Sequence, residues 1–543
     1  MDQHANASSL PGEPHPPGTL ELFSDENKEH GKLVPLPRPS DDFNDPLTWS
    51  MLRKSWNYGL LTAMTMSIFA GLSTQTIFWP QMLQELNVTL QDLNNGMAGQ
   101  LVGLAFGCVV FIPFARKYGR RSTYIVSTVV VTASVWWSAF MRTSGEVVAT
   151  NVLMGLAGAI NETAVQMSIS DMFFVHQRGS ANGVYLIAVT AGSFLAPMAA
   201  GAQAQSFGWR SSYLTLGGWM TGLSLLFVLS FEETKFVPAA RAGSGTTDDA
   251  DDEDGLIRRD SYQLGPKVSR VDSEAPLRGN AARPGPRTRP RPRPRFPRYL
   301  RLQLVTRTDE PFWKTLYSPV HSAWFPHVVF TFLEFASGVT WVVVFSSIIS
   351  IVFSRAPYNF DAAQIGFMSA GPLVGSVFGS LYGGPLVDWA VVRFAKRNGG
   401  IYEPEMRLWL MPLPALAMSA GLVMFGITAD RGMHYILPSI GIALSAYGFG
   451  AISDMTFTLI IDSFPNLVAQ TFVTISFFRN ALSIAGPFSI TSWMEVMSIS
   501  SISIVAAAIS LGIHLLGIPV AIWGKNIRTS LATRYHHLSD KST

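Results

Sequence analysis

Two glutamates, Glu162 and Glu334, lie inside long apolar runs, and their polar neighbours are spaced to share a helix face. A carboxyl is costly in hydrocarbon unless it meets a partner or a water-lined cavity, and there it is suited to binding and releasing a proton. Around Glu162, the residues Asn151, Gly155, Gly158 and Gln166 recur at three- and four-residue steps and make one polar stripe. Around Glu334, the residues His327, Phe330, Ser337, Trp341 and Phe345 place a carboxyl among rings, a face that suits an apolar or cationic organic molecule. For both glutamates the alternative is a structural hydrogen bond between helices. Asp454 and Arg479 are further charges in apolar runs, and they are expected to form an ion pair with a structural or gating role. Gln75 and Trp79 are expected to line the same cavity, and Asp171 and Arg178 to act as gate or cap residues at the end of the fourth run.

The elements that must position these groups are twelve apolar stretches, each long enough to cross about 30 Å of hydrocarbon with roughly 20 residues. They read as helices 1 to 6 over 57–80, 97–115, 122–141, 147–173, 183–204 and 212–231. Helices 7 to 12 read over 324–353, 365–389, 407–427, 434–461, 471–493 and 502–523. The expected fold class is all-α and integral to the membrane, with two six-helix bundles, 57–231 and 321–523. An N-terminal tail (1–56), a central linker (232–320) and a C-terminal tail (524–543) complete the chain. Pro80, Pro197, Pro372 and Pro487 fall where kinks or ends are expected.

The composition agrees. Of 543 residues, 48% are hydrophobic and 14% charged, well below the roughly 25% charged of soluble domains. A net charge of +3 and scattered basic residues exclude nucleic acid as a partner. Cys108 is the single cysteine, so no disulfide forms within the chain. No phosphate-cradling Gly-rich motif is present, and no Cys/His cluster suggests a metal. No cofactor and no enzymatic constellation are expected; transport would run on a gradient. The partners expected are the bilayer, a small organic substrate and protons, with the protein acting as a monomer.

Lys and Arg set the orientation. Arg53 and Lys54 precede helix 1; Arg116, Lys117, Arg120 and Arg121 fill the link after helix 2; Arg178 follows helix 4; Arg393, Lys396 and Arg397 end helix 8; Lys525, Arg528 and Arg534 follow helix 12. Both termini are therefore expected in the cytoplasm. The sequon at Asn87 falls in the first outer loop, where glycosylation is expected, whereas those at Asn6 and Asn161 are expected to be cytoplasmic and intramembrane, hence unmodified. The linker carries an acidic run, Asp248–Asp254, and an Arg-Pro run from Arg287 to Arg295. It reads as a solvated tether, with binding to anionic lipid or a regulatory partner, or a retained intron, as the alternatives.

Several segments together resemble the major facilitator superfamily, and more narrowly its fungal twelve-spanner drug:proton antiporters. They are Asp45-Pro-Leu-Thr-Trp-Ser50, Tyr118-Gly-Arg-Arg121, Ser170-Asp171 through Arg178-Gly179, Gly384-Pro-Leu-Val-Asp388, Glu403-Pro-Glu-Met-Arg-Leu408 and Trp523-Gly-Lys525. In that family helix 5 carries a glycine ladder ending Gly-Pro-x-x-Gly-Gly. Here it reads Gly183, Gly192, then Ala196-Pro197-Met-Ala-Ala-Gly201, with two glycines turned to alanine. The resemblance implies a hinge and seal there; plain small-residue packing is the alternative. It also implies a gate role for Asp388 with Arg393. Arg120 and Arg121 serve either gating or positive-inside anchoring. Two departures stand out: Arg116 occupies the place of an acid, which breaks any latch at that corner, and Asn151 stands where the family has an arginine for proton transfer. The resemblance implies a proton-coupled exporter of drugs, toxins or secondary metabolites in a fungal plasma membrane, or a vacuolar one. The alternatives are an importer of polyamines or other organic cations, and a non-transporting receptor.

Overall fold

Helix 1 begins where Ser50 caps the amide of Arg53 and runs Met51–Thr74. It tightens to a 3-10 turn at Gln75–Phe78 and continues as Trp79–Glu85, with Pro80 in the first turn, where its missing N–H is harmless. The computed structural model describes residues 17–21, 45–235, 317 and 319–542, all within one compact unit. The expected linker lies outside the described residues except for Glu232–Lys235 and the few residues before helix 7.

The other helices in the first half are Leu90–Tyr118, Arg120–Phe140, Ser144–Gly158 joined to Ile160–Met172, Val175–Phe207, and Trp209–Ser230. Helices 2 and 4 both start with a capping box, Thr89 with Asp92 and Thr143 with Glu146. The second half comprises Pro326–Phe353, Ala362–Arg397, Pro412–Asp430, Ile436–Ser463, Val468–Ser483 joined to Ala485–Val496, and Ile499–Leu515 followed by Gly517–Ser542. Ten of the twelve are long and apolar enough to cross a membrane. The other two, helices 4 and 11, are each broken by one residue, Ala159 and Ile484. In helix 11 the cause is Pro487, which cannot donate to the carbonyl four residues back. The helices overrun the expected ends, most of all helix 12, whose basic tail stays helical.

Prolines shape helices 5 and 8 in the same way. Ala191–Leu195 forms a π-turn just before Pro197, and Tyr382–Leu386 forms one around Pro385. Pro372 lies just after the break at Met368–Ser369 in helix 8.

Glycines let the backbones close. On helix 2, Gly99, Gly103 and Gly107 face helix 4, and a Cβ on Gly103 would meet the Val152 carbonyl at 2.3 Å. On helix 8, Gly371, Gly375, Gly379 and Gly383 face helix 10, and a Cβ on Gly375 would meet the Ala443 carbonyl at 2.0 Å. Between the halves, helix 2 packs on helix 11 and helix 5 on helix 8. On the face away from the termini these contacts are tight: a Cβ on Gly201 would meet the Ala362 carbonyl at 2.4 Å, and Asn94 donates to the Thr491 hydroxyl at 2.9 Å. One short strand pair is present among the described residues, Leu20–Glu21 antiparallel to Ile401–Tyr402.

Candidate functional site

Helix 4 is divided at Ala159, whose backbone stays in the right-handed helical region. Glu162 opens the second piece and forms an ion pair with Arg479 of helix 11. Asn480 adds a hydrogen bond to the same carboxylate oxygen at 3.2 Å, and Arg479 Nε donates to the Asn480 amide oxygen at 3.2 Å. Glu162 and Arg479 each lie about 15 Å from the terminal face, the one bearing both chain ends, by residue count at 1.5 Å per residue. Their side chains are 11% and 12% exposed, so the pair is largely desolvated yet reachable. Phe106 and Phe477 meet edge-to-face at 6.3 Å beside it, and Phe332 stacks on Phe478 at 4.9 Å. Behind Glu162, Tyr185 donates to the Asn161 carbonyl at 2.8 Å and Thr65 to the Asn161 side chain at 3.2 Å, which fixes this stretch of helix 4 against helices 1 and 5.

Two expectations change here. Arg479 pairs with Glu162, not with Asp454, which instead faces helix 8, beside Gly383 and hydrogen-bonded to Ser380. The polar stripe of helix 4 does not line one cavity: Asn151 donates to the Val147 carbonyl at 2.7 Å and packs on Gly96 of helix 2, while Gly158 faces helix 1. The physical reason is that helix 4 crosses several neighbours, so its successive levels meet helix 2, helix 1 and helix 11. The side chains of Gln166 and Arg178 lie outside the described residues.

The helix 7 stripe is buried, but inside the C-terminal bundle. Glu334 meets His514 of helix 12 at 2.7 Å, their side chains 1% and 2% exposed. One turn on, Ser337 meets Ser510 at 3.1 Å and accepts the Trp341 indole N–H at 3.1 Å. Phe345 packs edge-to-face on Phe425 of helix 9 at 5.0 Å. The rings thus fill the interior of the bundle rather than facing the other half. His327 lies elsewhere again, at the terminal face, 3.3 Å from Glu405 in the link after helix 8. Gln75 and Trp79 are buried where the end of helix 1 meets helix 7, and neither Gln75 Oε1 nor Trp79 Nε1 has a hydrogen-bond partner.

The terminal face carries a charge network in each half. In the first, Arg120 binds Asp171 at 3.0 Å, while Glu233 accepts the backbone amides of Arg120 and Arg121 at 3.0 and 3.2 Å and caps helix 3. Arg121 donates to the Phe231 and Val228 carbonyls, both at 2.7 Å, and Arg53 binds Glu232. An arginine–carboxylate pair therefore exists at that corner despite Arg116, with Asp171 supplying the acid. In the second half, Arg407 binds Asp388 at 2.6 Å and Asp462 at 3.3 Å. Arg393, the expected partner in the gate, lies exposed with its guanidinium 6.0 Å over the Trp389 ring. Arg528 is fully buried and grips Glu405 with two hydrogen bonds, 2.7 and 2.8 Å. Burial alone would push the Glu405 carboxyl up, but the His327 and Arg528 hydrogen bonds and the Arg528 charge outweigh it and hold it near 2. Arg528 also donates to the Pro17 carbonyl and the Thr19 hydroxyl, which ties the N-terminal segment to the second half.

The helix 5 motif divides. Gly192 is pressed on helix 1, where a Cβ would meet the Met66 carbonyl at 2.3 Å; Gly201 is pressed on helix 8; Gly183 has open space beside it. Asn87 is exposed in the turn after helix 1. Sequence reasoning missed His514, Glu232 and Glu233. A lone histidine in an apolar helix was the available signal for the first. The two glutamates fell at a helix end that reads as the start of a linker.

The Major Facilitator Superfamily family model matches residues 61–487. An uncharacterised MFS-type transporter of Schizosaccharomyces pombe is 26% identical, covering 96% of this chain and 94% of that one. Efflux pump radE of Floropilus chiversii is 22% identical, covering 97% of this chain and 90% of its own. In fold, a bacterial homologue of the human lysosomal transporter Spinster, solved inward-facing and unoccupied, superposes with a TM-score of 0.53 at 13% identity, covering 91% of this chain and 98% of that one. With the twelve helices in two six-helix bundles, these findings establish that the chain belongs to the Major Facilitator Superfamily, as a multi-pass membrane transporter and not an enzyme.

Proposed function

We propose that this protein is a proton-coupled exporter of small organic molecules, working by alternating access, with Glu162 as the coupling acid. The observation that carries the reading is the Glu162–Arg479 ion pair, which joins the two halves across the path between them. Two bundles that rock about a central site must break such a bridge once in each cycle. A proton on Glu162 removes one of the two charges and releases Arg479, and loss of that proton remakes the bridge. Substrate competes for the same groups: a cationic centre takes the place of Arg479 at the carboxylate, and the Phe106 and Phe477 rings receive its apolar body. The direction is supported by a relative named as an efflux pump. The basic links and Asn87 support termini in the cytoplasm and an outer first loop.

The test is flux of a panel of drugs and polyamines in sealed vesicles under an imposed pH gradient, wild type against Glu162→Gln. Movement opposite to the protons, lost in the variant, is the expected result. Movement with the protons would replace export by uptake, and flux indifferent to pH and to the variant would remove Glu162 from the mechanism.

A further inference from the structure

A second pair of titratable groups lies behind helix 7, and the exporter reading makes no use of it. Glu334 and His514 meet at 2.7 Å with their side chains 1% and 2% exposed. Each keeps one buried polar atom without a hydrogen-bond partner, Glu334 Oε1 and His514 Nε2. Few other charges reach them. Helix 12 presents Ser510 to Ser337, one turn away. On helix 11, Arg479 is turned to Glu162; on helix 10, Asp454 is turned to helix 8. His327, with Glu405 and Arg528, lies about 10 Å along helix 7 toward the terminal face.

We infer that Glu334 and His514 form a second proton-binding site, enclosed in the C-terminal bundle and separate from the bridge between the halves. Charge accounting points to it. A carboxylate beside a neutral imidazole leaves one uncompensated negative charge in low dielectric, which is costly. One proton from water, bonded to the free Nε2, makes the imidazole cationic and the pair neutral, with the Nδ1–H···Oε2 hydrogen bond kept throughout. The two groups titrate as a unit, with values that belong to the pair. The site also has a route to the bridge. The Ser483 hydroxyl donates to the Ala336 carbonyl of helix 7 at 3.1 Å and to the Arg479 carbonyl at 2.8 Å. Helix 7 thus stands between the two sites, in contact with both.

Infrared pH-difference spectra of the purified full-length protein, recorded over roughly pH 5 to 9, test this without reference to any substrate. The expected result is a carboxyl signal and an imidazole signal that titrate together, both removed by Glu334→Gln, both removed by His514→Gln, and both kept in Glu162→Gln. Should one of the first two variants fail to assemble, the other reads the same pair. A spectrum in which neither variant removes a titrating signal overturns the proposal. Vesicle flux adds a functional readout: His514→Gln is expected to shift the pH profile while transport stays proton-driven, whereas Glu162→Gln loses the drive. Loss of the drive in both, with the infrared signals unchanged by His514→Gln, would also overturn it. If no flux is found at all, the infrared result still decides the proton site, so the two readings fail separately.

Discussion

The two halves share one frame and load it differently. In the first, Gly103 on helix 2 closes on Val152 and Leu156 of helix 4, and Gly107 on Leu156 and Ala159. In the second, Gly379 on helix 8 closes on Tyr447 and Ala451 of helix 10, and Gly383 on Ala451 and Asp454. The spacings match position for position. At the place of Ala159, where helix 4 breaks, helix 10 has Asp454 and runs on unbroken. Three residues further, helix 4 sends Glu162 across to Arg479, whereas helix 10 sends Phe457 into a stack with Phe335 at 4.0 Å and Phe472 at 4.9 Å. The lesson is that backbone packing is repeated while the reactive group is not. A small residue and a helix break turn one copy of the frame into a charged contact, and rings turn the other into core.

Breaking the charged copy should have the largest effect. Glu162→Ala strands Arg479 in low dielectric, at a cost of about 3–5 kcal/mol. The paired change Glu162→Gln with Arg479→Met should recover most of the thermal stability in detergent while proton-driven flux stays lost. Recovery of flux would show that the bridge is only structural.

Next comes a buried ion pair of the second half. The Glu405 carboxyl is held near 2, below its ordinary 4.5, so its contribution is complete above the unfolded value and is lost as pH falls through the folded one. That shift corresponds to about 3 kcal/mol. The thermal midpoint should fall between roughly pH 4.5 and 2, and Glu405→Gln should flatten that limb. An unchanged slope would deny Arg528 and His327 their part.

The shared frame is tested by matched substitutions. Gly103→Val and Gly379→Val should each destabilise by about 1–3 kcal/mol, because a Cβ would meet backbone at 2.3 and 2.5 Å. A cost in one half only would end the equivalence. Smallest of all, Gly183→Ala, with open space around it, should change the midpoint by less than about 0.5 kcal/mol in equivalent stability.

Much of this was legible in the sequence. Length and apolarity located twelve helices, and the rule that an acid in hydrocarbon is functional singled out Glu162 and Glu334. What sequence could not supply was partners. Glu162 and Arg479 are 317 positions apart and Glu334 and His514 are 180, and no periodicity joins residues on different helices. Helical spacing grouped the residues of the Glu334 face, yet it says nothing about what covers that face, and helix 12 covers it where a substrate was expected. The described part of the helix 4 stripe, Asn151 to Glu162, is shared among three neighbouring helices, which spacing along one helix does not reveal. The glycine rows of helices 2 and 8 are not distinctive in the sequence because small residues in apolar runs are common, and only a facing backbone gives their spacing a meaning.

The hold of Arg528 on Pro17 and Thr19 bears on how the chain is made. These partners are 511 residues apart, and the strand Leu20–Glu21 pairs with Ile401–Tyr402. At roughly 5–20 residues per second, the ribosome needs about 25–100 s to produce the second partner after the first. Residues 17–21 therefore wait while the helices between them and Arg528 are inserted, and they reach that arginine only when helix 12 is in place. The grip of Arg528 on this segment thus follows synthesis of helix 12, and protection of its backbone from protease marks a chain in which that helix has arrived.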